Sequence, residues 1–490
     1  MSSTMSPAPI ELLREPALII GDQRVTDSTG GRFRHVYAAT GAATGDVPQA
    51  GVAEIDDAVR AAREALPAWR ALTGDKRRNL LLAYAALLDQ HSERLSQLNV
   101  IDNATPITVA RYMPAKAADL FRYNAGWADK IGGEVVPTWP APALDYTMHE
   151  PYGVVAVIIP WNGPISAIGM TAAPALAAGN CLVIKPPELA PYAALEMGQL
   201  FLDAGFPPGV VNVVPSGPEG GEALCRHPGV DKIHFTGSGG TARKVLASAL
   251  EHLTPVGLEL GGKSANIIFD DANLDEALPH TIGAVASLSG QGCLLGTRVL
   301  VQRSCYDEVV RRVVAAVGGL VVGDPLMAGT RMGPVVNAAS CDRIMATIQL
   351  ATTDGHGRLA AGGQRLHGEF ADGYFIEPTV FADVDNQSPL ARDEIFGPVL
   401  AMIPFDDDSH AISLANDNPY GLAAYIHTND LRRAHRVAAA LQAGNVAVNG
   451  SSANPISAPF GGVKQSGYGR LGGIDGIREF SRAKNVWVSM

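Results

Sequence analysis

The sequence predicts an α/β fold. Short apolar runs alternate with amphipathic, helix-period segments between residues 153 and 238. A second alternation of the same kind begins near Ser264 with the run ANIIF. Several runs stop at proline or glycine, where a parallel strand would hand over to a crossover helix.

Along the chain, residues 54–73 place apolar side chains at helical spacing, with Asp56 and Asp57 in the first turn, and predict an amphipathic helix. A second helix is expected over 76–99. The run GVVAVII at 153–159 is continuously apolar and ends at Pro160, which predicts a buried strand. Helix follows at 170–179, strand at 181–187, helix at 192–204, strand at 209–217, and a strand at 231–238 that runs into a glycine-rich turn. In the second region a helix is expected at 306–318, with mixed structure to about 460. Between the N-terminal helices and the first strand, 132–153 carries Pro137, Pro140, Pro142 and Pro151 and two extended pieces, which predicts a protruding hairpin. The last residues, NVWVSM, predict a terminal strand.

Composition narrows the function. The 490 residues allow about three domains or two large ones. Apolar residues make up 47% and charged ones 18%, enough for a large core and too few charges for a disordered chain. A formal net charge of -11 disfavours nucleic acid and anionic membrane as partners. Cys181, Cys225, Cys293, Cys305 and Cys341 are odd in number and form no CxxC pair, the pattern of reduced thiols in a cytoplasmic protein. The N-terminus has no basic segment followed by a long apolar run, so no secretory leader is expected. The histidines form no HxxxH or HExxH, and no metal is expected.

Five segments could carry chemistry. SGQGCLLGTR at 289–298 sets Cys293 among small residues, which would leave a thiol open to substrate; a buried core cysteine is the plainer alternative. GLELGGKS at 257–264 matches P-loop spacing through Gly257, Gly262, Lys263 and Ser264. It would nevertheless put Glu259 where phosphates lie and open a strand, not a helix, so a P-loop is rejected. Glu259 between two leucines suits a general base with a raised pKa, or equally a paired structural carboxylate. GSGGTA at 237–242 fits a dinucleotide-binding turn, with Glu259 standing 22 residues past Gly237 as a possible ribose contact. Asn162 in PWNGP could donate to an oxyanion or simply shape a turn. Lys185 and Glu188 in KPPE could meet a ribose at a strand's carboxyl end or form a solvated pair.

In this order and together, these segments resemble the aldehyde dehydrogenase superfamily. The matching pieces are PWN at 160–162, KPPE at 185–188, FTGS at 235–238, LELGGKS at 258–264, GQGC at 290–293, EIFGPV at 394–399, NDNPYGLAA at 416–424 and PFGGVKQSGYGR at 459–470. Glu259 and Cys293 also stand 34 residues apart, as the family leads one to expect. The resemblance covers nearly the whole chain.

The resemblance implies a Rossmann-like cofactor domain from 1–130 and 152–261 and an α/β catalytic domain over 262–465. It implies a small β oligomerisation element from 131–151 and 466–490, and a homodimer or homotetramer. It implies oxidation of an aldehyde to an acid through a thiohemiacetal and thioester on Cys293, with Glu259 as base and Asn162 in the oxyanion hole. The implied cofactor is NAD, favoured by Glu188 near the ribose, with NADP not excluded by Lys185 alongside. Lys185 and Glu188 resemble ribose contacts, Gly237 and Ser238 the pyrophosphate turn, Glu394 and Phe396 the nicotinamide-ribose contacts, and Pro160 and Trp161 the pocket lining. Gly163, Met170, Leu294 and Phe460, with Gly169, would border a substrate tunnel suited to an apolar aldehyde. Three residues depart from the family pattern: Ala242 for a glycine in the turn, Gly163 for an aromatic after PWN, and Leu471 for a glutamate after the Gly-Arg pair. Rival readings are a CoA-acylating enzyme, which would not need Glu259, a non-enzymatic NAD-binding protein, and a nucleotide hydrolase.

Overall fold

The computed structural model describes residues 5–450 and 455–490. The first four residues of the N-terminal stretch, and 451–454 within the mixed stretch, lie outside the described residues. Among those described, eight strands form one sheet and seven form a second.

The first sheet has five parallel central strands. In chain order they are Val154–Ile158, Cys181–Lys185, Val211–Val213, Lys232–Thr236 and Val256–Glu259. In space the first and fourth are neighbours, the second and third lie outward on one side, and the fifth on the other. This is the 3-2-1-4-5 order of a dinucleotide-binding sheet, whose ligand crevice opens at the carboxyl ends of the first and fourth strands. PWN follows the first strand and GSGG the fourth. The glycine-rich turn that comes late in sequence is therefore beside the first strand in space.

The second sheet is built on Ala265–Ile268, Arg298–Gln302, Val399–Phe405 and Ala423–His427, all parallel to their neighbours. Ala265, Ile267 and Leu300 join one apolar cluster, while Ile268, Val299 and Val301 join another. Alternate residues thus bury opposite faces, which is why these strands read as continuous apolar runs. Only five residues, 260–264, connect the last parallel strand of the first sheet to the first strand of the second.

Several expectations need correction. The 76–99 segment is two helices, Gly74–Gln90 and Ser92–Asn103, broken at His91, whose ψ of 12° leaves the helical range. The 170–179 helix begins earlier, as Pro164–Ala178, with Pro164 at its first turn, where a missing N–H costs nothing. Besides the antiparallel pair Arg32–Tyr37 and Ala42–Pro48, two further N-terminal strands lie where the sequence predicts none: Leu18–Ile20 and Gln23–Val25, antiparallel at the sheet edge. The Gly21-Asp22 pair between them is a two-residue hairpin signal present in the sequence.

The 466–490 segment divides. Gly467–Tyr468 pairs with Val256–Glu259, and Leu471, Ile477 and Phe480 are buried in the first sheet's core. Only Ser481–Ser489 joins the protruding hairpin, pairing with Ala143–Pro151 at nine residue pairs, with Val135–Val136 as third strand. In the N-terminal part, Tyr37, Val100, Ile107 and Ala110 cluster with Phe375, so residues before 130 also pack on the second region.

Gly169 is a packing residue and not a tunnel residue. A Cβ there would stand 3.0 Å from Ala117 Cα and 3.1 Å from Leu120 Cδ1, on the helix Tyr112–Ala125. Gly169→Val should destabilise the protein by about 1–3 kcal/mol through overpacking. The check is the midpoint of urea unfolding; an unchanged midpoint would show that the two helices can separate freely.

Candidate active site

The loop carrying Cys293 is fixed on both sides. The helix Leu274–Ala286 ends in a tight turn in which Leu288 (φ 52°) and Ser289 (φ 54°) both adopt the left-handed conformation. That conformation costs roughly 1–2 kcal/mol for each non-glycine residue. Ser289 Oγ donates to the Gly333 carbonyl at 2.7 Å. Gln291 is buried; its amide accepts from the Val336 N–H at 3.0 Å and donates to the Leu288 carbonyl at 2.9 Å. Asn162 Nδ2 donates to the Gln291 carbonyl at 2.8 Å, and the Tyr425 hydroxyl donates to the Leu294 carbonyl at 2.7 Å. Cys293 itself is partly exposed.

The linker over 260–264 passes directly against this loop. A Cβ on Gly262 would stand 2.6 Å from the Cys293 carbonyl oxygen, and one on Gly261 would collide with the Glu394 carboxylate. Gly262 N–H donates to Glu394 Oε1 at 3.1 Å. The glycines of GLELGGKS therefore admit close backbone approach, with no phosphate cradle. Lys263 is buried next to Arg298, and burial, with Arg298's repulsion, pulls its ammonium down to about 7. Arg298 donates to the carbonyls of Leu414 and Ala415 at 2.6 and 2.8 Å and to Asn386 Oδ1 at 2.9 Å, a clamp that sequence reading did not identify.

Glu259 ends the strand Val256–Glu259 and is 4% exposed, yet neither carboxylate oxygen has a hydrogen-bond partner. Burial pushes its pKa well above the usual carboxylate range; Arg470 pulls partly back, and Glu479 adds to the rise. The Cys293 thiol is pushed up to about 12, first by burial and then by the Glu394 and Glu259 carboxylates. Burial likewise raises Glu394 to about 7, against the Gly262 N–H, Lys263 and Arg343. The generic ribose role for Glu259 does not fit: its side chain lies inside, beside the Gly461 backbone.

The sheet crevice collects the other predicted residues. Pro160, Trp161 and Asn162 leave the first strand, and Asn103 Nδ2 donates to the Trp161 carbonyl at 3.0 Å. The Trp161 and Phe396 rings meet edge to face at 5.4 Å. Gly237 and Ser238 leave the fourth strand. Ser238 caps the helix Gly239–Ala249 by accepting from Thr241 N–H at 3.2 Å, and nothing lies within 4 Å of the Cβ position of Gly239. Lys185 is buried at its strand end without a hydrogen bond or ion pair among the described residues. Burial lowers its pKa, and the nearby Glu188 opposes that. An orphaned ammonium at one strand end and an open helix N-terminus at another, with the first strand between them, fit an extended ligand with hydroxyls and phosphates.

Of the expected tunnel residues, Gly163 has open space where a side chain would stand, and Met170 and Leu294 are partly exposed. Phe460 is buried, and its backbone pairs with Leu471 through bonds of 2.6 and 2.8 Å. Leu471 faces the apolar core at 2% exposure, so its side chain fills a packing position. No group of three or more His, Cys, Asp or Glu side chains able to hold a metal occurs among the described residues. No helix there is long and apolar enough to cross a membrane.

Residues 25–486 match the aldehyde dehydrogenase family. The chain belongs to that family. Human retinal dehydrogenase 2 is 40% identical over 491 residues, covering 99% of this chain and 94% of that protein. PnpE from Pseudomonas sp. WBC-3, in complex with nicotinamide adenine dinucleotide, superposes with a TM-score of 0.95 at 38% identity, covering 97% of this chain and 98% of that one. The NAD+ complex of aldehyde dehydrogenase from Bacillus cereus gives a TM-score of 0.95 at 38% identity and covers 100% of both chains. This aldehyde dehydrogenase is thus an α/β oxidoreductase acting on aldehydes, and a nucleotide-hydrolase or purely structural role is set aside.

The raised pKa of Glu259 has a consequence for stability. Its protonated form is favoured by the fold, so the stabilisation is complete below the unfolded-state value of about 4.3 and is lost as pH rises towards the folded value. Glu259→Gln keeps the neutral shape at every pH. The variant should gain stability relative to the parent by about 1.4 kcal/mol per pH unit across that window. Urea midpoints at pH 5 and pH 8 test this; a pH-independent difference would mean Glu259 is not held neutral.

Proposed function

We propose that this enzyme oxidises an aldehyde to a carboxylic acid through a thioester on Cys293 that water hydrolyses with help from Glu259. The observation that carries the reading is Glu259 itself: a buried carboxylate with both oxygens unpartnered, within electrostatic range of the Cys293 thiol. Leaving such a group unsatisfied costs free energy unless it acts on something that arrives later. A thiol raised to about 12 needs a base to become a nucleophile near neutral pH. Glu259 in its carboxylate form can take that proton.

The chemistry then follows from the loop. The Cys293 sulfur adds to the aldehyde carbon, a C–S bond forms, and the carbonyl pair moves onto oxygen. One Asn162 N–H already donates to the Gln291 carbonyl, which holds the amide beside Cys293; its second N–H and the Cys293 backbone N–H are the donors for that oxyanion. NAD, when bound, supplies the two-electron acceptor that leaves a thioester on the sulfur. Lys185 and Glu188 would hold its adenosine ribose and the Gly237–Ser238 turn its pyrophosphate. Glu394 and Phe396 would hold the nicotinamide ribose, with Pro160 and Trp161 lining the pocket. Glu188 favours NAD over NADP by repelling a 2′-phosphate. After giving that first proton to solvent, Glu259 accepts a proton from the water that attacks the thioester and returns it to the departing sulfur, releasing acid and thiol. A CoA-acylating role is disfavoured because Glu259 would be idle in it.

We further propose that the enzyme works in the cytoplasm as a homodimer or homotetramer built through the protruding sheet. Ser481–Ser489 is an edge strand carrying exposed Trp487 and Val488, a surface that strand addition would cover.

Cys293→Ala should abolish aldehyde-dependent NADH formation, while Asn162→Ala should lower kcat about 10²-fold or more. Activity in Cys293→Ala equal to the parent would remove the thioester from the mechanism. In the parent, kcat/KM should fall on acidification at a pH above the ordinary carboxylate range, as Glu259 protonates, and Glu259→Gln should lose that limb. A limb that survives in Glu259→Gln belongs to another group.

A further inference from the structure

On the helix Tyr112–Ala125, Met113, Lys116 and Leu120 are spaced three and four residues apart and share one stripe. Both ends of the stripe are fixed against the helix Pro164–Ala178. Met113 Sδ lies 3.0 Å from Ser166 Oγ, and Leu120 Cδ1 lies 3.1 Å from the Cβ position of Gly169. Lys116 stands between them. On the facing helix, Ser166 and Met170 are one turn apart, and its N-terminal cap is Gly163, the residue after Asn162. Met113, Lys116, Ser166, Met170 and Gly163 are all partly exposed, so the two faces are accessible between their packed points, with open space at Gly163 next to Asn162.

Lys116 is half-buried there and makes no hydrogen bond or ion pair with any described residue. Its neighbours in sequence are all satisfied: Arg111 pairs with Glu93, and Arg122 with Asp89 and Asp119. Burial alone lowers the lysine's pKa, with no carboxylate to oppose it. A partly desolvated cation without a counter-ion is unfavourable in the free protein, and an anionic ligand would relieve it. The rest of the wall, Met113, Leu120 and Met170, is apolar, which suits a hydrocarbon spacer.

We propose that Lys116 selects aldehydes carrying a carboxylate at the end remote from the aldehyde, with an apolar spacer between. This rests on the Cys293 reading and replaces the expectation of a wholly apolar substrate. The aldehyde stands at Cys293 and Asn162, the spacer along Met113 and Met170, and the carboxylate at the Lys116 ammonium. Lys116 acts in binding alone and takes no part in bond making.

The test compares ω-carboxy aldehydes of increasing chain length with the unsubstituted aldehyde of the same length, read by NADH formation. At the best length the parent should prefer the carboxylate member by about tenfold or more in kcat/KM. Lys116→Met should lose about tenfold of that preference through KM, with kcat for the carboxylate member kept within about twofold. Lys116→Arg should keep most of the preference, a rescue that a purely structural role would not produce. A preference absent from the parent at every length, or unchanged in Lys116→Met, overturns the proposal while turnover of unsubstituted aldehydes leaves the Cys293 reading standing. No NADH from any aldehyde would sink both.

Discussion

Gly261 and Gly262 run between the Glu394 carboxylate and the Cys293 carbonyl with no room for a side chain at either position. The rest of the site depends on that contact. The same short linker leaves the first sheet at Glu259 and enters the second at Ala265, so it holds the proposed base and the proposed nucleophile in one register. A β-carbon here would displace the Glu394 carboxylate or the Cys293 loop. Arg298 supports the far side by tying the second sheet to the carbonyls of Leu414 and Ala415.

Around that contact the protein holds several groups in states that a stability-only design would avoid. Leu288 and Ser289 are left-handed, Glu259 has no partner for either oxygen, and Lys185 is an orphaned buried cation. Each is unfavourable alone, and the surrounding core is large enough to offset them. Their positions differ in meaning. The strain lies under the cysteine loop, the orphaned carboxylate at the proposed bond-making end, and the orphaned cation at the proposed cofactor crevice. The Glu259 carboxylate and the Lys185 ammonium are groups that an attacking water or a bound ligand could satisfy.

The departures from the family pattern also become physical. Gly163 leaves open volume beside Asn162, because no neighbouring side chain moves into it. Leu471 is a core residue, so the position at which the resemblance leads one to expect a carboxylate here serves packing. In the proposed mechanism the water-activating role then falls to Glu259, whose charge Arg470 favours and Glu479 opposes.

Much of this was legible in the sequence. The alternation of buried runs and helical segments gave the fold class, because strands buried on both faces must be apolar throughout. Motif order also singled out Cys293, Glu259 and Asn162 for the roles proposed above, since thioester chemistry needs a thiol, a base and an oxyanion donor together. Other features could not be read from the chain. Gly169 resembled a tunnel residue, but only the approach of Ala117 and Leu120 shows it to be a helix contact. The glycine-rich turn follows the fourth strand in the chain, and only the strand order brings it beside the first. Lys116 gave no local signal at all, because lacking a partner is a property of its surroundings. Local sequence determined which residue types were available and which elements they form. The tertiary structure decided which of them meet, which are buried, and which are left waiting for a ligand, because burial and pairing arise between segments far apart in the chain.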